Sequence, residues 1–451
     1  MADILIAALS PDGHIAPMLA VAADQVKRGN TVTMLTGAAH TAAVRAVGAR
    51  AHPLPALADF DDNPFDATRR RCTSPIRALN QAIIRLFLEP MPHQAAELAK
   101  VLGNKHFDAI IADYGFVGVL PLLLGDPAQR PPVLYYTPTP LMLSSRDTAP
   151  YGLGLPPRHP WCNLALTVFS QRVLLREAHH TTNTMLASLG SRALPTFLLD
   201  VGVLADRLIV PTVPLFEYPR SDLPANVRFV GAVHPRPTGG FTPPPWWSEI
   251  DTHRPVVHVT QGDVFPRRFA RPDVDDTDMS RLIEPTIDAL RDADVTVIVT
   301  TCGTPLRSRV PTNTFVADHI PYDVLLPKID VMVTNGGYGA VQRAAAAGVQ
   351  LVVAGSTEDK PEVAARVAWS GTGINLRTGT PSATAVAAAV NEVLRDDRYR
   401  RRARELEVAF AQRDGVAEIA ALIDEVTAPR RRNGCVPVWN AAISSDSKGE
   451  T

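Results

Sequence analysis

Two short loops carry residue types that could do chemistry. The first, Ser10-Pro11-Asp12-Gly13-His14, lies where an apolar strand, Ile4 to Leu9, gives way to a helix, Ile15 to Arg28. Histidine titrates near neutral pH, and open parallel sheets bind ligands at the carboxyl ends of their strands. An imidazole at this edge is therefore placed to move a proton. The same residues also read as a capping turn, in which Asp12 and His14 serve only the orphan N–H groups of the helix. Asp113 ends the apolar strand Phe107 to Ala112. If that strand lies beside the first, its carboxylate can hold one ring nitrogen of His14 and stabilise the imidazolium; taken alone, Asp113 is a cap before Tyr114-Gly115.

The second loop is Asn335-Gly336-Gly337-Tyr338-Gly339, between the apolar run Val331 to Thr334 and an alanine-rich helix that stops at Gly348. Glycines let the backbone approach a pyrophosphate, and the following helix N-terminus offers unpaired N–H groups and a positive dipole end. No Gly-Lys-Ser/Thr follows, so this is not a Walker A loop, and as a lone glycine-rich turn it is equally a tight turn.

Positioning these loops requires strands that alternate with helices. Ile4–Leu9, Thr31–Thr36, Phe107–Ala112 and Val133–Tyr136 read as buried strands, with helices at Ile15–Arg28 and Ala38–Val47. A second series has strands at Val256–Thr260, Val295–Val299, Thr314–Ala317, Val331–Thr334 and Leu351–Ala354. Its helices fall near Met279–Arg291, Tyr338–Ala347, Pro361–Trp369 and Ser382–Leu394. This pattern predicts an α/β protein of two facing, doubly wound, Rossmann-like parallel-sheet domains with a cleft between them. The proline-rich stretch between Val233 and Trp247 sets the limits: a first domain over 1–235, a linker over 236–250, a second domain over 251–428 and a flexible tail over 429–451. Two segments, an apolar helix Leu79–Leu88 and one long helix Trp161–Leu189 carrying His179 and His180, stand outside this alternation, where substrate pockets are commonly built.

Composition excludes several classes. The 451 residues hold 45 Lys+Arg against 46 Asp+Glu, a net charge of -1, with 46% hydrophobic and 20% charged residues, which is ordinary globular chemistry with no global pull toward nucleic acid. Forty prolines argue against coiled coils and helical repeats. Arg430–Arg432 lacks the interleaved aromatics of a nucleic-acid site. Cys72, Cys162, Cys302 and Cys435 form no Cys-x-x-Cys, and His179-His180 has no third ligand at a recognisable spacing, so no metal site is expected. Without a leader or spanning segment, the expected compartment is the cytoplasm. Membrane contact is at most peripheral, through Arg69–Arg71 and the helix after them.

The order of motifs resembles the GT-B nucleotide-sugar glycosyltransferases. It is most similar to the UDP-glycosyltransferase family that modifies lipids, phenolics and macrolides, from about residue 3 to about 427 and most strongly over Phe315–Leu376. Gly13-His14-Ile15-Ala16-Pro17 matches that family's GHxxP loop, which implies His14 as the base on an acceptor hydroxyl and Asp113 as its orienting acid. His319-Ile320-Pro321 stands where the family stacks its nucleobase. Thr260-Gln261-Gly262 would approach the diphosphate from the side opposite Asn335, Gly336, Gly337, Tyr338 and Gly339. Departures are specific: Asn335 replaces the family's phosphate-site histidine, Gln342-Arg343 stand where a ribose-binding glutamate is usual, and Asp359-Lys360 replace the Asp/Glu-Gln pair that holds sugar hydroxyls. The resemblance implies an inverting, metal-independent transfer of a hexose or deoxyhexose from a UDP- or dTDP-sugar, a co-substrate with no further cofactor. The acceptor would be a hydroxyl of a small, lipophilic molecule, lipid or phenolic. Two alternatives stay open: a nucleotide-sugar epimerase of this fold, and a non-catalytic GT-B-like binding protein.

Overall fold

Apolar runs of four to six residues without polar alternation are stable only in a sheet covered on both faces. The computed structural model, which describes residues 1–59, 74–234, 240–250, 253–262, 278–307 and 309–433, contains two such sheets. The first has the order β3-β2-β1-β4-β5-β6-β7, built from β1 Asp3–Ala7, β2 Thr31–Thr36, β3 Arg50–Pro53, β4 Ala109–Asp113, β5 Val133–Tyr136, β6 Arg207–Val210 and β7 Val227–Phe229. The second has the order β10-β9-β8-β11-β12-β13, from β8 Val256–Thr260, β9 Thr296–Thr300, β10 Thr314–Ala317, β11 Val331–Thr334, β12 Gln350–Val353 and β13 Gly373–Asn375. Every pairing in both is parallel. Alternation along each strand feeds two cores. Leu5, Ala7 and Leu9 enter one, while Ile4, Ile6 and Ala8 enter the other.

Strand order reverses between β1 and β4 in the first sheet and between β8 and β11 in the second. At such switch points the loops leaving neighbouring strands diverge and open a crevice. Ala7 pairs with Ala112, and Thr260 with Thr334. The loop beginning at Ala8 therefore emerges beside Asp113, the last residue of β4, and the loops beginning at Gln261 and Asn335 emerge side by side.

Several elements differ from expectation. The segment Trp161–Leu189 is not one helix: Pro160–Phe169 and Arg176–Ser188 are α-helical, joined by a π-turn at Ser170–Leu174 that shifts the helical phase. A π-turn also completes the apolar helix, which runs Pro75–Ile83 and then Ile84–Leu88. Of residues 236–250, those from 240 onward are described and are anchored on the second domain: Trp246 stacks on Phe315 at 5.1 Å between ring centres, and Trp247 meets Phe241 edge-on. The last helix runs Gly415–Asn433. It crosses back to the first domain, where Ile419, Leu422 and Ile423 pack with Ile15, Met18 and Val21. Arg69–Arg71 and residues 434–451 lie outside the described residues.

The chain also crosses in the opposite direction. After β6, Val213 and Phe216 enter the core of the second domain, and Glu217 follows them. Glu217 meets Arg366, which is 1% exposed, at 2.7 Å, and Arg366 pairs with Glu362 at 2.9 Å. The guanidinium carbon lies 4.4 Å from the centre of the Tyr218 ring. Burial alone would raise the Glu217 pKa, but Arg366 and Arg220 more than reverse it and hold the carboxyl below its ordinary range. Replacing Arg366 by Met would leave Glu217 and Glu362 buried without the guanidinium that pairs with both. The expected cost is about 3–5 kcal/mol, read from the urea midpoint and slope, and a loss below about 1 kcal/mol would contradict this role.

Candidate functional site

At the first switch point His14 sits in the opening turn of the helix Asp12–Lys27, with its backbone N–H donating to the Pro11 carbonyl. Its Nδ1 lies 2.7 Å from Asp113 Oδ2, and the Asp113 carboxylate is fully buried while the His14 side chain keeps 16% exposure. A carboxylate only accepts, so Nδ1 carries the proton in the neutral ring and the lone pair falls on Nε2. Asp113 is itself fixed by the N–H groups of Leu9 and Gly115, each at 3.4 Å. The pair therefore has the geometry of a base with its orienting acid.

Gly115 shapes the space beside the ring. A Cβ there would lie 2.5 Å from Leu9 Cδ1, 3.3 Å from Phe87 Cε1 and 3.4 Å from His14 Cε1. Leu9 and Phe87 thus put apolar surface near the His14 ring. Gly13, on the same turn as His14, has open space where its side chain would be.

At the second switch point a pocket is lined by Gln261, Arg281, Asn335, Ser356, Thr357 and Lys360. Asn335 ties its two glycine turns together: Nδ2 donates to the Gln261 carbonyl, and Oδ1 accepts the Gly337 N–H at 3.3 Å. Gly337 caps the helix Tyr338–Ala346, whose first-turn N–H groups have no partner within the helix. Close approach explains Gly355, where a Cβ would lie 2.1 Å from the Asn335 carbonyl oxygen. Gly262 has φ +74° and donates its N–H to Thr260 Oγ1 at 3.1 Å.

Other expected residues are placed differently. The Gln261 side chain faces the helix Ile283–Leu290, accepting from the N–H groups of Leu282 and Ile283 at 3.3 Å, so its backbone is the part that borders the Asn335 turn. The Tyr338 and Ile320 side chains are in the second core, 5% and 2% exposed. His319 is exposed, Pro321 starts the short helix Tyr322–Leu325, and the loop lies beside Cys302, whose N–H donates to the Asp318 carbonyl at 2.9 Å. Gly339 has open space at its Cβ position. Arg343 reaches Asp323 at 2.6 Å and lies over the Tyr322 ring.

Asp359 and Lys360 stand at the start of the helix Lys360–Ser370. Lys360 Nζ donates to Thr357 Oγ1 at 3.2 Å and to the Glu358 carboxylate. Burial and the neighbouring Glu358 push the Asp359 carboxyl up to about 6, against the opposing pull of Lys360 and His14. Burial would also lower the His14 pKa, yet the charge and hydrogen bond of Asp113, with Asp359 and Glu358 from the second domain, raise it above its ordinary value. Each group thus feels the other across the cleft.

Sequence reasoning missed Arg281, Phe87 and Gly115. Arg281 belongs to no local motif, whereas the Gly after Asp113-Tyr114 at a strand end was a readable signal for a close contact. Among the described residues no three His, Cys, Asp or Glu side chains are grouped to hold a metal ion, and no helix is long and apolar enough to cross a membrane.

Residues 284–426 match the family described as Erythromycin biosynthesis protein CIII-like, C-terminal domain. Over its length the chain is similar to 4'-demethylrebeccamycin synthase of Lentzea aerocolonigenes, 38% identical over 434 residues that cover 94% of this chain and 99% of that protein. UDP-glycosyltransferase 2 of Phaeomoniella chlamydospora is 35% identical over 448 residues, covering 94% of this chain and 96% of that protein. The solved glycotransferase of kitacinnamycin shares the fold, with a TM-score of 0.69 at 20% identity over 94% of this chain and 98% of its own. Two parallel sheets with facing switch points, together with this full-length likeness, make the chain a member of the UDP-glycosyltransferase family, a GT-B glycosyltransferase that takes its sugar from a nucleotide-sugar.

Proposed function

We propose that the chain is an inverting, metal-independent glycosyltransferase that moves a hexose or deoxyhexose from a UDP- or dTDP-sugar to a hydroxyl of a small lipophilic acceptor. The observation that carries this reading is the His14–Asp113 pair, set opposite Asp359 and Lys360 across the cleft. His14 Nε2 takes the acceptor proton as the hydroxyl oxygen attacks the anomeric carbon. The bond from that carbon to the diphosphate oxygen breaks on the opposite face, and the nucleoside diphosphate leaves with the electron pair. Asp113 stabilises the imidazolium that results.

Leaving-group charge is met by the N-terminus of the helix Tyr338–Ala346 and by the guanidinium of Arg281. That cation supplies the charge that Asn335, an amide, does not. Asp359 and Lys360 are assigned to the sugar hydroxyls and the loop His319–Pro321 to the nucleobase. Phe87 and Leu9 beside the base favour an acceptor with an apolar body.

His14→Ala should lower transfer by about 100- to 10,000-fold while UDP or dTDP still raises the thermal unfolding midpoint as in the wild type. Undiminished transfer by the variant would overturn the assignment. In the wild type, kcat/KM should fall as pH drops through the raised His14 pKa, because the protonated ring cannot accept a proton. Asp113→Asn removes the charge that opposes burial, so its weaker activity should persist to lower pH. An unmoved inflection would separate the pH dependence from this pair.

A further inference from the structure

The residues assigned to the donor sugar open a helix whose first turn is gripped by the other domain. Glu362, two residues after Lys360 and 3% exposed, accepts the N–H of Gly152 at 2.9 Å and of Gly154 at 2.7 Å on Oε1, while Oε2 faces Arg366 at 2.9 Å. Both glycines belong to the loop that leaves β5 at Tyr136, the residue paired with Asp113 in the sheet. Along that loop the Leu141 N–H donates to Glu217 at 3.2 Å, the other carboxylate on Arg366. The fit around Gly154 is tight. Its φ is +60°, and a Cβ would lie 2.7 Å from Pro361 Cβ and 3.0 Å from the Pro361 carbonyl oxygen.

We propose that Glu362 is a positioning residue, a latch that fixes the distance between the His14–Asp113 base and the sugar carried by Asp359 and Lys360. This rests on the reading of that pair as donor contacts. The chemistry suits a carboxylate: one oxygen gathers two N–H groups from the first domain while the other pairs with a guanidinium of the second, and charge-assisted bonds of this kind are stronger than neutral ones. Displacing reacting groups by about 1 Å can cost a hundredfold in rate, so a tie this near the sugar acts on turnover rather than on nucleotide affinity.

Three variants test it: Glu362→Ala, Glu362→Gln, which keeps an oxygen for the two glycines, and Gly154→Ala, which loosens the grip without touching Arg366. Hydrogen exchange at the Gly152 and Gly154 amides reports the latch itself. Steady-state transfer and the thermal shift with UDP or dTDP report its consequence. Glu362→Ala and Gly154→Ala should exchange faster at both amides and lose about 10- to 100-fold in kcat, with the nucleotide shift unchanged, and Glu362→Gln, which keeps the glycine acceptor but loses the one for Arg366, should recover part of both. Faster exchange with unaltered kcat would overturn the latch while leaving the glycosyltransferase reading intact. So would a loss matched by lost nucleotide binding and not recovered by glutamine. A wild type that transfers no sugar would overturn both.

Discussion

Arg366 is a full positive charge buried between two carboxylates and a tyrosine ring, and the cleft depends on how it is compensated. Removing such a charge from water costs several kcal/mol unless each of its donors is met. Glu362 comes from its own helix, but Glu217 arrives on a segment that also places Val213 and Phe216 in the second core. The charge can be satisfied only when the chain after β6 has crossed between domains. That requirement, with the return of the last helix to the first core, sets one sheet's switch point opposite the other's.

The cleft then brings a base and an acid of unlike tendency near one another. His14 is drawn toward its charged form by Asp113 against the effect of burial, and Asp359 is drawn toward its neutral form by burial, its carboxyl pushed up to about 6. Shifts of opposite cause on facing groups are a common feature of sites that move protons. Asn335 fits the same economy of charge. It has no charge of its own, and its amide is used to lock two glycine turns, while Arg281 lines the same pocket with a guanidinium.

Much of this was legible in the chain. Apolar runs such as Ile4–Leu9 and Val331–Thr334 identify strands buried on both faces, and the parallel order follows from their alternation with helices. His14 and Asp113 could be paired because both stand at strand ends, and only one strand order makes them neighbours. Two edge strands could not be read this way: Arg50–Pro53 has no apolar run, and Gly373–Asn375 is three residues long. Nor could the breaks at Ser170–Leu174 and Ile84–Leu88, which contain neither Gly nor Pro to mark them. The hardest features to see were the charges. Glu217 and Arg366 are 149 residues apart, and glutamate and arginine in isolation read as surface.

The proposed reaction is a single displacement in which the acceptor oxygen attacks opposite the departing diphosphate. The anomeric configuration of the glycoside, read by NMR from the coupling constant of its anomeric proton, tests this most directly. A product of configuration opposite to that in the nucleotide-sugar is the predicted result. A product that retains the donor's configuration would contradict the role of His14 as base and the facing of the two sites.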